Sequence, residues 1–81
     1  MSPAAVRVEL LTRPGCHLCD DARAVVAAVA AELGVGWSET DITTDARLLE
    51  RWRDEIPVTL VDGAVHDFWR VDPVRLRNAL T

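Results

Sequence analysis

The sequence predicts an α/β chain with element order β-α-β-α-β-β-α, building a mixed four-stranded sheet flanked by helices. Three observations carry that prediction. Val6, Val8 and Leu10 alternate with Arg7 and Glu9, the period of a half-buried strand. A long Ala/Val-rich stretch with helical spacing follows it. Near the other end, two apolar runs flank Asp62-Gly63, a dipeptide suited to a tight hairpin turn.

The first strand runs to about Thr12, where Pro14-Gly15 breaks it. A helix is predicted from Cys16 to about Leu33, with Ala22, Val26, Val29, Ala30 and Leu33 on its inner face. Asp20 and Asp21 lie in its first turn, where carboxylates suit the helix dipole, and Gly34 ends it. Val35 to Ile42 forms a second strand, with Trp37 as its large apolar residue. Thr43-Thr44-Asp45 then offers helix caps, and Leu48, Leu49 and Trp52 make a short amphipathic helix reaching Ile56. Arg47, Glu50, Arg51, Arg53, Asp54 and Glu55 form the solvated side of that helix. Val58–Val61 and Val65–Trp69 are the arms of the hairpin. Asp72 caps a final helix with Pro73 at its first position, and Leu76, Ala79 and Leu80 supply its inward face. Two β-α-β connections imply parallel pairing, and the hairpin adds an antiparallel edge. Residues 1–81 read as one domain, without linker, repeat or low-complexity segment.

Composition narrows the function classes. Hydrophobic residues make up 49% of the 81, enough for a modest core. A net charge of -4 offers no attraction for nucleic acid or an anionic membrane, so neither is expected as a partner. The longest apolar run, Ala24 to Ala31, is far short of the roughly 20 residues that span a bilayer. Met1-Ser2-Pro3-Ala4-Ala5 has neither the basic nor the apolar region of a signal peptide, so a cytoplasmic location is expected. No heptad pattern or obvious exposed apolar stripe calls for an oligomer, and a monomer is expected. No hydrolytic triad and no phosphate-cradling glycine loop is present.

Arg13-Pro14-Gly15-Cys16-His17-Leu18-Cys19 holds the only two cysteines. In a reducing compartment a structural disulfide is disfavoured. The loop that this pair would close is also too short to restrain the unfolded chain much. The spacing therefore points to redox or metal chemistry. Cys16 at the helix start is the candidate attacking thiol, and Cys19, one turn later and more buried, the candidate resolving thiol. A thiolate at a helix N-terminus gains roughly 0.3–1 kcal/mol from the dipole, and a pKa unit is worth about 1.36 kcal/mol. The dipole alone thus moves a thiol by about one unit or less, and anything larger needs hydrogen bonds or a nearby cation.

Arg13 is either a cation that holds the thiolate or a substrate carboxylate, or an exposed strand-end arginine. His17 either stabilises the thiolate when protonated or is a solvated imidazole. Asp20 and Asp21 disfavour the thiolate. Ile56-Pro57 opens a buried strand, where proline marks a rigid bend. The alternative is a metal or iron–sulfur module on the same cysteines. Zinc normally takes four ligands, and this chain offers Cys16, Cys19 and distant His66, with His17 poorly placed beside Cys16. A second chain or glutathione thiols would have to complete such a site.

The element order, with Cys-x-x-Cys after the first strand and a proline opening the third, resembles the thioredoxin fold. Leu11-Thr12-Arg13-Pro14-Gly15-Cys16-His17-Leu18-Cys19 resembles the active-site segment of glutaredoxins, and the chain is similar to the small bacterial glutaredoxin-like family from about Val6 to Leu80. That resemblance implies an oxidoreductase that reduces protein disulfides or glutathione mixed disulfides. It implies Cys16 as nucleophile, Cys19 as resolving cysteine, Pro57 as a cis-proline and Ile56 as a backbone clamp on the substrate. Arg13 and His17 complete the candidate substrate-binding set. No bound cofactor is implied; glutathione would be a co-substrate, with glutathione or a flavoprotein reductase as electron donor. The chain also departs from the usual glutaredoxin pattern. His17 and Leu18 replace Pro-Tyr, Arg13 replaces lysine, and Glu55-Ile56-Pro57 replaces Thr-Val-Pro. Phe68-Trp69-Arg70-Val71-Asp72 stands where glutaredoxins carry Gly-Gly before the last helix. Phe68 and Trp69 either wall off the glutathione groove or form a platform for a protein partner, with at least one expected to pack under the last helix.

Overall fold

The computed structural model describes residues 5–81. Of the N-terminal segment read above for a leader, only Ala5 falls among them; its carbonyl accepts from the Gly36 N–H at 2.9 Å. The elements are β1 (Val6–Thr12), α1 (His17–Leu33), β2 (Gly36–Asp41), a 3-10 turn (Ile42–Thr44), α2 (Ala46–Trp52), β3 (Val58–Val61), β4 (Ala64–Phe68) and α3 (Pro73–Leu80). The sheet order is β2-β1-β3-β4, so the first strand is central.

Alternation along β1 divides the core in two. Val8 and Leu10 are fully buried against Ala22, Val26 and Val29 of α1 and Leu76 and Leu80 of α3. Leu11 points to the opposite face, where Ile42, Ile56 and Val58 join it and Leu48, Leu49 and Trp52 of α2 lean against them. A fully buried leucine contributes roughly 1.5–3 kcal/mol by leaving water, so each face of β1 anchors a helical layer. Among the described residues, no helix is long and apolar enough to cross a membrane.

The pairing corrects one expectation. β1 and β2 are parallel, but β3 is antiparallel to β1, and β4 is antiparallel to β3. The second β-α-β connection therefore does not produce a parallel neighbour. The seven residues of α2 rise only about 10 Å, less than half the ~23 Å of a seven-residue strand. The chain does not return to the end where β2 began. Val58 instead lies opposite Leu11, so β3 sets out from the end where β2 finished.

Smaller differences have local causes. α2 stops at Trp52, and turns occupy the stretch that was expected to continue the helix to Ile56. β4 ends at Phe68 because Trp69 takes a left-handed backbone conformation, φ 61°. Ala79 is exposed, and α3 packs through Leu76 and Leu80, four residues apart on one face. The caps follow expectation. Asp72 Oδ1 accepts from Val74 N and Arg75 N at 2.8 and 3.2 Å, and Gly34 at φ 68° donates to the Ala30 carbonyl.

Candidate functional site

The cysteines lie at the end of the sheet where β1 and β2 finish and β3 begins. After Thr12 the chain turns through Pro14 and Gly15, the latter at φ 74°, and enters Cys16 in extended conformation. Cys16 is the N-cap of α1, and its Sγ accepts from the Cys19 N–H at 3.1 Å. A sulfur in the cap position receives the hydrogen bond that serine or aspartate accepts in other helices. One helical turn brings the Cα atoms to 5.2 Å, and the two sulfurs are in disulfide contact.

The two sulfur environments differ. Cys19 is fully buried, within the cluster of Leu11, Ile42, Ile56 and Val58. Cys16 packs on the edge of that cluster and is only half-buried. Ile56-Pro57 is a cis peptide, with Pro57 buried and its carbonyl accepting from the Trp69 N–H at 2.7 Å. Ile56 shares the apolar cluster with Cys19, so the structure brings the proline corner to the cysteine pair. His17 is exposed at the first position of α1. Arg13 is exposed in the loop and lines a shallow cleft with Arg23 and Glu39. Among the described residues it makes no ion pair.

A polar network beside the pair was not anticipated. Arg23 donates to both Glu39 oxygens at 2.6 and 2.7 Å and to Asp20 Oδ1 at 2.8 Å, while Thr12 Oγ1 donates to Glu39 at 2.8 Å. The Arg23 guanidinium, helped by Thr12, holds the Glu39 carboxyl below its ordinary value against the opposing effect of burial. The network pins the first turns of α1 to β1 and β2. It also pairs Asp20 with a cation, which offsets the charge that opposes a thiolate at Cys16. Residues 12, 20, 23 and 39 carry no shared local pattern; their only sequence signal is their polar character.

The aromatic pair also lies differently from the expectation. Neither Phe68 nor Trp69 is buried under α3; they are 39% and 53% exposed. Phe68 lies 6.3 Å from the Trp52 ring and 6.2 Å from the Trp69 ring, centroid to centroid. Trp69 Nε1 donates to the Asp54 carbonyl at 3.2 Å, tying the segment to the loop before β3. The sequence places Trp52 on the apolar face of the short helix and Asp54 on its solvated side, and neither position signals a contact with the aromatic pair. His66 lies on β4 with a buried, unpartnered Nε2. Among the described residues no three His, Cys, Asp or Glu side chains are grouped to hold a metal ion, so this His and the cysteines do not form a site together.

Comparison with known proteins agrees with this geometry. Residues 7–81 match the family described as "Glutaredoxin-like domain (DUF836)". The chain is 38% identical over 76 residues to the uncharacterized protein Rv0508 of Mycobacterium tuberculosis, covering 88% of this chain and 78% of that protein. The uncharacterized protein Mb0520 of Mycobacterium bovis matches over the same length with the same identity and coverage. Among solved structures, target protein XcR50 from X. campestris superposes with a TM-score of 0.74 at 30% identity, over 90% of this chain and 93% of that one. Thioredoxin from Fasciola hepatica superposes with a TM-score of 0.59 at 19% identity, over 90% and 75% of the two chains, a likeness of fold alone. The fold is thioredoxin-like, and in a glutaredoxin-like domain the Cys16–Cys19 contact supports a redox-type function. The chain belongs to the glutaredoxin-like domain family.

Proposed function

We propose that this protein is a dithiol–disulfide oxidoreductase that reduces protein disulfides or glutathione mixed disulfides. One observation carries the reading: at a pair in disulfide contact, Cys19 is fully buried and Cys16 is half-buried. Only Cys16 is open to an external disulfide. The Cys16 thiolate attacks one sulfur of that disulfide, forming a mixed disulfide and releasing the other sulfur as a thiolate that takes up a proton. Cys19, deprotonated, then attacks Cys16 Sγ; the Cys16–partner bond breaks and the second partner thiol leaves. The partner gains two electrons, and Cys16 and Cys19 become the disulfide. A thiol reductant, either glutathione or a flavoprotein reductase, returns the pair to the dithiol in a reducing compartment such as the cytoplasm.

The Cys19 N–H and the α1 N-terminus stabilise the attacking thiolate, while Arg13 and His17 offer cationic or polar contact to the partner. Ile56 supplies backbone pairing beside Pro57. Cys16→Ser is expected to abolish exchange, and Cys19→Ser to accumulate mixed disulfides detectable by mass spectrometry. Full activity in the Cys16 variant would overturn the roles. Equilibration in glutathione buffers is expected to show one dithiol-to-disulfide transition between about -200 and -270 mV, the range of reducing redoxins.

A further inference from the structure

Resting on that dithiol reading, we infer that Trp69 is a positioning residue: its two N–H groups grip the carbonyls on either side of Ile56 and fix the Ile56 backbone for pairing with the main chain of a peptide disulfide. The corner before β3 is held at several points. The Trp69 N–H donates to the Pro57 carbonyl at 2.7 Å, and the indole N–H donates to the Asp54 carbonyl at 3.2 Å. The Glu55 N–H donates to the Trp52 carbonyl at 2.9 Å. Between these fixed points, neither the N–H nor the carbonyl of Ile56 has a protein partner among the described residues. Main-chain groups of a buried residue are nearly always paired, so an unused donor and acceptor at Ile56 call for a partner from outside the chain.

The conformation of Trp69 points the same way. At φ 61° its Cβ crowds the backbone in the left-handed region, where glycine is at ease. A glycine would still offer the main-chain N–H to Pro57, whereas the reach to Asp54 needs the indole. Trp69 is 53% exposed, so core burial does not account for a bulky residue at this position. The Phe68 ring neighbours both Trp69 and Trp52 of α2, which braces the grip. Backbone strain held in place by such contacts is a mark of functional positions.

Ile56 also stands in the right place. It belongs to the apolar cluster that contains Cys19 and on which Cys16 packs. An extended segment whose disulfide meets Cys16 therefore pairs its main chain with Ile56, in the manner of an added strand. A disulfide without a peptide backbone gains nothing from Ile56, and so nothing from Trp69.

The test is single-turnover exchange from the fully reduced protein, followed by mass spectrometry. The probes are the symmetric disulfide of acetyl-Ala-Cys-Ala-amide, the same disulfide with the amides flanking cysteine N-methylated, and hydroxyethyl disulfide. Methylation removes the main-chain donors and keeps the reacting sulfurs; each rate is normalised to reduction of the same probe by dithiothreitol. In the wild type, the unmethylated peptide is expected to react about tenfold faster than the methylated one. Trp69→Phe, which keeps a ring and loses the indole N–H, is expected to lower that ratio to about threefold or less. Trp69→Gly, which keeps the main-chain N–H without strain, is expected to match it. The hydroxyethyl disulfide rate is expected to stay near the wild-type value in both variants. Because the ratio compares two probes on one protein, a change in stability or thiol reactivity does not imitate it. A wild-type ratio near one, a ratio that survives loss of the indole, or equal slowing of all three probes would overturn the positioning role while leaving the dithiol reading intact. Failure of even hydroxyethyl disulfide to react with the wild type would overturn the dithiol reading and this role with it.

Discussion

Cys16 and Cys19 are the same side chain made different by one helical turn: one caps the helix, and the other points into the cluster around Ile56. The glycine before them matters through its backbone. An added Cβ at Gly15 meets nothing within 4 Å, but φ is 74°, so Gly15→Ala is disfavoured by conformation alone. A loss of about 1 kcal/mol is expected, read as a lower urea midpoint with an unchanged slope. An unchanged midpoint would show that the loop enters α1 by another route. At this scale much of the site was legible. Two cysteines at this spacing and a proline opening an apolar run are local signals, and the fold does bring them together. The destination of Trp69 was not legible, because it depends on Asp54 and Pro57, which only the folded loop places within reach.

Element by element, punctuation in the chain sets the boundaries. Gly34 ends α1, Asp62-Gly63 turns the hairpin, and Asp72-Pro73 opens α3. Asp72 satisfies two N–H groups of a helix only eight residues long. Asp72→Ala is therefore expected to cost about 1 kcal/mol, seen as a lower urea midpoint. Asp72→Asn or Asp72→Ser should recover most of it, and equal loss in all three would argue against the cap. Strand direction was the least legible property at this scale. Periodicity identified β2, α2 and β3, but direction depends on how far α2 carries the chain. Its short rise leaves β3 starting at the finishing end of β2.

For the molecule as a whole, charges join segments distant in sequence. Arg7 holds Asp62 at 2.7 and 2.9 Å and the Leu80 carbonyl at 2.9 Å; Arg77 holds Glu32 at 2.6 Å; Arg23 joins α1 to β2 through Glu39. Glu39 and Asp62 are both held below their ordinary carboxyl values by arginine hydrogen bonds. The unfolded chain therefore binds protons at these groups before the folded one does. Their stabilisation is complete above the unfolded values, near 4.5 for Glu39 and 3.8 for Asp62, and is lost as pH falls through the lower folded values. Thermal melts are expected to show stability falling on acidification through that window, with a shallower fall in Glu39→Gln. Partial exposure and salt screening keep the effect modest. An identical acid profile for the variant would remove Glu39 from the account.

The antiparallel course of β3 has one more consequence. The cysteine pair lies where β1 and β2 finish, whereas Ala5, the Asp62-Gly63 turn and the end of α3 near Arg7 gather at the opposite pole. That pole is a natural tether point: a surface linker or fluorescent label attached there would leave the Cys16 end of the molecule facing outward, like a probe tip held by its handle.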